Sequence, residues 1–108
     1  MKLNSYKLFL DDVRQPKRGT WSLARSFEEA LDIVDEKGMP NIISFDHDLG
    51  EGKTGDDFAK WLIEQHLNGD LTFPERFEFI VHSANPVGKK NIESRLNNFL
   101  KHIRKENG

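Results

Sequence analysis

The feature that most restricts the fold is a recurring pattern. Short, mainly apolar runs end at polar or ionisable residues and are followed by helical patterns. The runs occupy residues 7–10, 41–45 and 77–81. The residues that follow them are Asp11-Asp12, Asp46-His47-Asp48 and His82-Ser83. Runs of this length predict buried strands. Strands that alternate with helices predict an α/β domain with a mainly parallel sheet.

Three helices are predicted between and after these strands. Ser26 and Glu29 have capping-box spacing, in which each side chain satisfies a free N–H, and Thr54 and Asp57 form a weaker box. Pro86 favours the start of the last helix. The apolar stripe of that helix consists of Ile92, Leu96, Phe99 and Ile103.

A fourth short strand is predicted at residues 21–24, where apolar and polar residues alternate. The connection from Asp12 to Trp21 is short and carries no helical pattern. The sequence leaves the direction of this strand open, although so short a connection favours antiparallel pairing with the first strand.

Composition excludes several classes of protein. The 108 residues suffice for one domain, spanning residues 1–108 with a core of about 7–104. The 16 basic and 18 acidic residues nearly cancel, so no extended field attracts duplex nucleic acid or a membrane. The absence of cysteine excludes disulfides and thiolate metal sites. No spanning run or signal peptide is evident, so a cytoplasmic location is expected.

Ligands of parallel α/β sheets bind beyond the carboxyl ends of the strands. The polar clusters at the ends of the three strands are therefore expected to converge at a functional site. Within it, His47 and His82 suit general acid–base catalysis near neutral pH. One imidazole would take a proton from water while the other protonates a leaving oxygen, a division that fits opening of a cyclic phosphate.

The remaining polar residues at this edge suggest roles around a phosphate. Three carboxylates brought to this edge would repel one another unless they share a proton or hold a cation, for which Mg²⁺ is the natural candidate. Asp46 or Asp48 would orient a histidine or support the metal. Candidate substrate-binding residues are Arg14, Asp48, Ser83, Asn85 and Asn91.

Simpler interpretations remain open for each residue taken alone. A lone acid after a strand commonly forms a turn or a helix cap, and a lone histidine is commonly structural. Arg14 and Arg25 would either clamp a phosphate or pair with the acids. His66 and His102 lie on predicted helices away from this edge, so we interpret both as structural or solvated.

The strand-end residues resemble the active-site signatures of response-regulator receiver domains. In those domains the acidic pair matched by Asp11 and Asp12 binds magnesium, and the aspartate matched by Asp46 accepts a phosphoryl group. The chain departs from them at the first helix, the fifth strand and the phosphate-binding lysine, for which it has no counterpart.

A narrower resemblance, over about Leu8 to Leu96, is to the cyclic-phosphate-processing receiver-like family. It is carried by Leu10-Asp11-Asp12-Val13-Arg14, Pro16, Phe45 to Gly50, Thr54-Gly55, Trp61, Val81 to Gly88 and Asn91-Ile92. It implies a shortened, flavodoxin-like three-layer α/β sandwich with a mainly parallel sheet. It also implies that His47 and His82 form an acid–base pair and that Asp11, Asp12 and Asp46 form a polar or metal-binding cluster.

These observations together favour a phosphoesterase that acts on a cyclic phosphate of a nucleotide or RNA end. Two alternatives stay open. One is a degenerate receiver that accepts phosphate on Asp46 or binds a partner without turnover, and the other is a non-catalytic binder of cyclic nucleotides. The expected partner is a small cyclic nucleotide or an RNA terminus, and the resemblance implies the cytoplasm of a bacterium or a phage-infected host.

Overall fold

The computed structural model describes residues 5–107, with side chains for residues 5–105, and has a four-stranded parallel sheet with the order β2-β1-β3-β4. The strands are β1 (Lys7–Leu10), β2 (Ser22–Ala24), β3 (Ile42–Phe45) and β4 (Glu78–Val81). The helices are α1 (Phe27–Lys37), α2 (Gly55–Asn68) and α3 (Pro86–Asn107). The predicted fold class, a shortened receiver-like α/β fold with a mainly parallel sheet, is confirmed. None of the described helices is long and apolar enough to cross a membrane.

The antiparallel pairing expected for β2 is wrong, because Leu8 of β1 pairs in parallel with Ser22. A parallel return normally uses a helix, but here an extended loop makes it. Eleven extended residues reach about 36 Å, whereas a four-residue strand spans only about 13 Å. Residues 11–21 can therefore run from the end of β1 back to its start, where Gly19 lies beside Lys7.

The predicted helix starts are present. The Ser26 hydroxyl accepts a hydrogen bond from the Glu29 N–H, and Thr54 and Asp57 form a complete capping box. The side chain of Asn85 accepts a hydrogen bond from the Gly88 N–H at the first turn of α3. These local caps satisfy backbone donors that the helices cannot satisfy internally.

The three helices pack against one face of the sheet. The chain crosses from β2 to β3 through α1 and from β3 to β4 through α2, and both crossings run in the same direction across the sheet. Two right-handed crossovers in the same direction place both helices on the same face. Phe45 contacts Phe58 of α2, which also contacts Phe27 of α1. The main core lies between the sheet and this helical layer.

The opposite face of the sheet carries Phe9, Ser44 and Ile80, which share a row by strand register. The outer layer on this side consists of the loop 11–21 rather than a helix, and Ile80 remains 54% exposed. One of the two outer layers of the expected three-layer sandwich is thus reduced to a loop. With only a loop on this face, the carboxyl ends of β1 and β4 are accessible from this side of the sheet.

Candidate active site

The carboxyl ends of β1, β3 and β4 bring Asp11, Asp46 and His82 into one group. One ligand atom from each residue lies within 4.8 Å of the other two. The backbone ladder continues to this edge, since the Asp46 N–H donates to Leu10 and the His82 N–H to Phe45. The parallel register therefore holds side chains from three distant parts of the chain in fixed positions.

Asp11 is fully buried and forms the centre of the group. Its Oδ1 accepts hydrogen bonds from the N–H groups of Val13 and Arg14, at 2.9 and 2.8 Å. Its Oδ2 lies 2.9 Å from His82 Nε2. Burial raises the pKa of Asp11, but these hydrogen bonds and the nearby His82 outweigh it, so the net pKa is lowered. Because an ionised carboxylate only accepts hydrogen bonds, His82 Nε2 carries the proton between them.

His82 is held on three sides. Its Nδ1 lies 2.7 Å from Ser44 Oγ, its Nε2 contacts Asp11, and its ring stacks on Phe9 with the centroids 4.6 Å apart. Both ring nitrogens are thus engaged within the protein. Ser44 was not among the predicted site residues, because it lies inside an apolar run. The available signal was that a hydroxyl in a buried strand needs a hydrogen-bonding partner.

Asp46 has an electrostatic environment unlike that of Asp11. Burial raises its pKa, and the negative charge of Asp11 raises it further. The charge of His82 and hydrogen bonds from the Ser83 hydroxyl and the His47 N–H offset only part of this effect. Asp46 therefore has a larger protonated fraction at a given pH than an ordinary aspartate.

The start of α2 is pressed against the end of β3. The Gly55 N–H donates a 2.8 Å hydrogen bond to the carbonyl of His47, and a Cβ at position 55 would lie 2.0 Å from the Asp46 carbonyl oxygen. Only glycine fits this approach. The Thr54-Gly55 pair thus combines a helix cap with the contact that fixes the backbone beneath Asp46 and His47.

His47 and Asp48 form a second pair on the α3 side of the edge. His47 Nδ1 lies 3.0 Å from an Asp48 carboxylate oxygen, and this hydrogen bond lowers the pKa of Asp48. The amide of Asn85 lies 3.4 Å from the other oxygen. The His47 ring rests on Gly88, where a Cβ would come within 2.3 Å of the ring. Among the described residues, His47 Nε2 has no hydrogen-bond partner.

The two histidines therefore differ in what they can do. They lie at the same sheet edge, as expected, but they share no hydrogen bond in the described part of the chain. His47 has an oriented Nδ1 and an available Nε2, which is the arrangement that a general base needs. His82 has both nitrogens occupied, an arrangement that suits positioning and electrostatic roles.

The predicted phosphate-binding residues are distributed around this edge. The Ser83 hydroxyl accepts a hydrogen bond from the Asn85 N–H, and Asn85 caps α3. Arg14 donates from its guanidinium to the carbonyl of His82. Asn91 is exposed about one turn further along α3 and takes part in none of these hydrogen bonds.

Arg25 supports the loop that carries Asp11 and Arg14. Its guanidinium donates to the carbonyl oxygens of both residues. These acceptors are backbone carbonyls, so the contacts are not the pairing with acidic side chains that the sequence suggested, and the phosphate clamp stays a prediction. Arg25 instead fixes the backbone from which Asp11 takes its two N–H hydrogen bonds.

The donors at this edge differ from the expected magnesium set. Asp12 lies outside the group of Asp11, Asp46 and His82, and its carboxylate faces Gly50 instead. The expected set of Asp11, Asp12 and Asp46 is therefore not assembled. Two carboxylates and an imidazole are a donor set that suits a transition metal better than Mg²⁺, which prefers oxygen ligands, but His82 could join it only after releasing one of its two hydrogen bonds.

Comparison with known proteins bears on the family and the fold of the chain. No curated protein sequence matches the chain. A solved fusion protein, which joins residues 181–211 of the yeast Spc42 trimeric coiled coil to another structure, is 18% identical. The match covers 98% of this chain and 84% of that one with a TM-score of 0.50, and at this identity it shows similarity of fold alone. The model of the family described as the cyclic-phosphate processing receiver domain matches residues 6–98. The chain therefore belongs to the cyclic-phosphate processing receiver domain family.

Proposed function

We propose that the chain hydrolyses a cyclic phosphate on a nucleotide or an RNA end. The observation that carries this proposal is the His47–Asp48 pair, with its available Nε2, beside the Asp11–Asp46–His82 group. It combines an oriented base, a carboxyl group with a raised pKa and the N-terminus of a helix at one edge. Helix N-termini favour anions such as phosphate.

The proposed reaction uses two proton transfers. His47 Nε2 removes a proton from a water molecule as the water oxygen attacks phosphorus. The bond from phosphorus to one ribose oxygen breaks, and the protonated Asp46 carboxyl gives its proton to that oxygen. The product is a phosphate monoester with a free ribose hydroxyl. Asp48 positions His47 by holding Nδ1, so that Nε2 faces the water.

His82 has a positioning role in this proposal. An acid must present a proton to the leaving oxygen. The Nε2–H of His82 is already hydrogen-bonded to Asp11, and its Nδ1 is hydrogen-bonded to Ser44. Asp46 is the better candidate acid because burial and Asp11 raise its pKa. His82 would then keep Asp11 in place and partly balance the negative charge beside Asp46.

Substrate phosphate would be held by groups at the start of α3 and by the loop after β1. Ser83 and Asn85 lie at this helix start, and Arg14 supplies a guanidinium suited to phosphate oxygens. A divalent cation bound by Asp11, Asp46 and His82 would supply charge neutralisation at the phosphate. It would require an ionised Asp46 and a His82 Nε2 released from its hydrogen bond to Asp11, so a metal-bound site would not use Asp46 as the acid.

The degenerate-receiver alternative makes Asp46 a phosphate acceptor. That role needs an ionised Asp46 that attacks a phosphoryl donor, whereas the proposed reaction needs Asp46 to give a proton, so labelling by acetyl phosphate distinguishes the two roles. A non-catalytic binder would use the same surface without product formation, and product analysis separates it from an enzyme.

The first experiment incubates the protein with nucleoside 2′,3′-cyclic phosphates and an RNA ending in a cyclic phosphate, with Mg²⁺, with Mn²⁺ and with EDTA. Phosphorus NMR identifies a ring-opened monoester. His47→Ala is expected to lower the rate by about 10²–10⁴-fold, the usual contribution of general acid–base catalysis. The EDTA arm decides whether a metal is required.

A second substrate separates the base from the acid. Bis(p-nitrophenyl) phosphate releases nitrophenolate, which leaves without a proton. Asp46→Asn should therefore lose activity on the cyclic nucleotide but retain it on this ester, whereas His47→Ala should lose both. Selective retention in His82→Asn instead would identify His82 as the acid. If no substrate is hydrolysed under any condition and acetyl phosphate phosphorylates Asp46, the receiver alternative replaces the enzyme proposal.

A further inference from the structure

A cavity of about 280 Å³ opens beside His82 on the sheet face opposite the helices. The loop 11–21 forms its outer wall, and β1 and the end of β4 form its inner wall. It is lined by Phe9, Arg14, Gln15, Pro16, Lys17 and His82. No role in the proposed chemistry accounts for Gln15, Pro16 or Lys17.

The inner wall of this cavity is aromatic. His82 stacks on Phe9 with an angle of 7° between the rings, and Phe9 is only 8% exposed, so the His82 ring, at 19%, supplies more of the open aromatic surface. Trp21 supports Phe9 edge-on, with the ring centroids 5.8 Å apart, and its indole N–H donates to the carbonyl of Arg18. Aromatic and imidazole surfaces of this kind stack on nucleobases irrespective of base identity.

The rim of the cavity adds polar and positively charged groups. Gln15 offers an amide with both donors and an acceptor, which matches the edge of a base. Arg14 and Lys17 are exposed cations, and none of the six lining residues is acidic. The volume lies near the lower end of small-molecule sites, about 300 Å³, so one nucleoside fits better than a longer segment.

We infer that this cavity holds the base of the cyclic nucleotide. The inference rests on the proposed function and specifies its substrate class: a nucleoside 2′,3′-cyclic phosphate, free or at an RNA terminus, rather than a cyclic phosphate of a bare sugar. His82 borders both the cavity and the Asp11–Asp46–His82 group. A base on this side of His82 therefore leaves its ribose near the edge where Asp46 and His47 lie.

Binding measured by calorimetry tests the inference separately from turnover. The ligands are adenosine 2′,3′-cyclic phosphate, methyl riboside 2,3-cyclic phosphate, which has no base, and adenosine, which has no phosphate. The base-bearing cyclic phosphate should bind about tenfold or more tightly than the base-free one, given the usual strength of base stacking. Gln15→Trp, which fills the cavity, should abolish this difference and leave base-free binding unchanged. Lys60→Ala, an exposed lysine of α2, is the control.

The outcomes distinguish the cavity from the chemistry. Equal affinity of the two cyclic phosphates, with hydrolysis of both, would overturn the base site and leave the proposed function standing. Adenosine binding that Gln15→Trp removes, without hydrolysis of any cyclic phosphate, would support the base site and overturn the proposed reaction. A Gln15→Trp variant that binds the base-bearing ligand as tightly as the wild type would also overturn the inference.

Discussion

Gly88→Ala tests whether the packing of the His47 ring against Gly88 of α3 matters for function. A Cβ at position 88 would lie 2.3, 2.6 and 2.7 Å from Cγ, Cδ2 and Nδ1 of the His47 ring. Non-bonded carbon atoms in contact lie about 3.5–4.0 Å apart, so the ring must retreat by about 1 Å or more. Asp48 holds Nδ1 at 3.0 Å, and this hydrogen bond would be distorted or broken by the retreat.

The expected consequence is a large loss of activity with a small loss of stability. A displacement of about 1 Å in a catalytic group can cost on the order of 10²-fold in rate. Overpacking costs about 1–3 kcal/mol, while replacing glycine by alanine inside a helix returns about 0.5–1 kcal/mol. The free energy of unfolding should therefore fall by about 2.5 kcal/mol or less.

Two assays check this prediction, of which one does not depend on turnover. Cyclic-phosphate hydrolysis measures the rate, and NMR of the imidazole resonances reports the environment of His47. Val87→Ala, at a neighbouring position of α3 that is 70% exposed, is the matched control and should change neither. A Gly88→Ala protein with unchanged His47 resonances and wild-type rate would refute the steric reasoning. The double variant His47→Ala/Gly88→Ala should recover the stability lost in Gly88→Ala.

Three further predictions concern the network around the site. Asp11→Asn should destabilise the fold by about 1–3 kcal/mol at neutral pH, because a buried charged hydrogen bond is lost. The folded-state pKa of Asp11 is lowered, so its stabilisation is present above the unfolded pKa of about 3.9 and is lost as the pH falls through the folded value. Urea unfolding between pH 3 and pH 7 should show the difference from wild type shrinking in acid, and a constant difference would contradict this. Ser44→Ala should leave Nδ1 of His82 without its partner and cost about 1–3 kcal/mol in the same assay, whereas wild-type stability would show that the bond contributes nothing. The two-point ion pair of Asp56 and Arg95, which joins α2 to α3, should give a coupling of about 0.5–1 kcal/mol in a double-mutant cycle, weaker at high salt; zero coupling at low salt would refute it.

Local signals explain why much of the fold could be predicted. The helix starts at Ser26 and Thr54 depend on residues three positions apart, and apolar periodicity marks the buried faces. The convergence of Asp11, Asp46 and His82 follows from a rule of parallel sheets, in which strand ends share an edge. These features needed no knowledge of contacts between distant side chains.

The direction of β2 could not be read from local signals, because it depends on the path of the loop 11–21 over the sheet. The absence of Asp12 from the Asp11–Asp46–His82 group could not be read from local signals either. Asp11 and Asp12 are adjacent in the chain, yet Asp11 turns inward to two N–H groups and His82, while Asp12 faces Gly50. Neighbouring residues of the same type can thus have different roles once the backbone turns.

The sequence by itself determined the strands, the helix caps and the edge at which the polar residues meet, since these depend on neighbours within a few positions or on a general property of parallel sheets. Only the tertiary structure decided which histidine keeps an available nitrogen. Ser44 and Asp11 occupy both nitrogens of His82, and Gly88 makes room for the ring of His47. These contacts join residues 38, 71 and 41 positions apart, and side-chain packing over such separations leaves no local pattern in the chain.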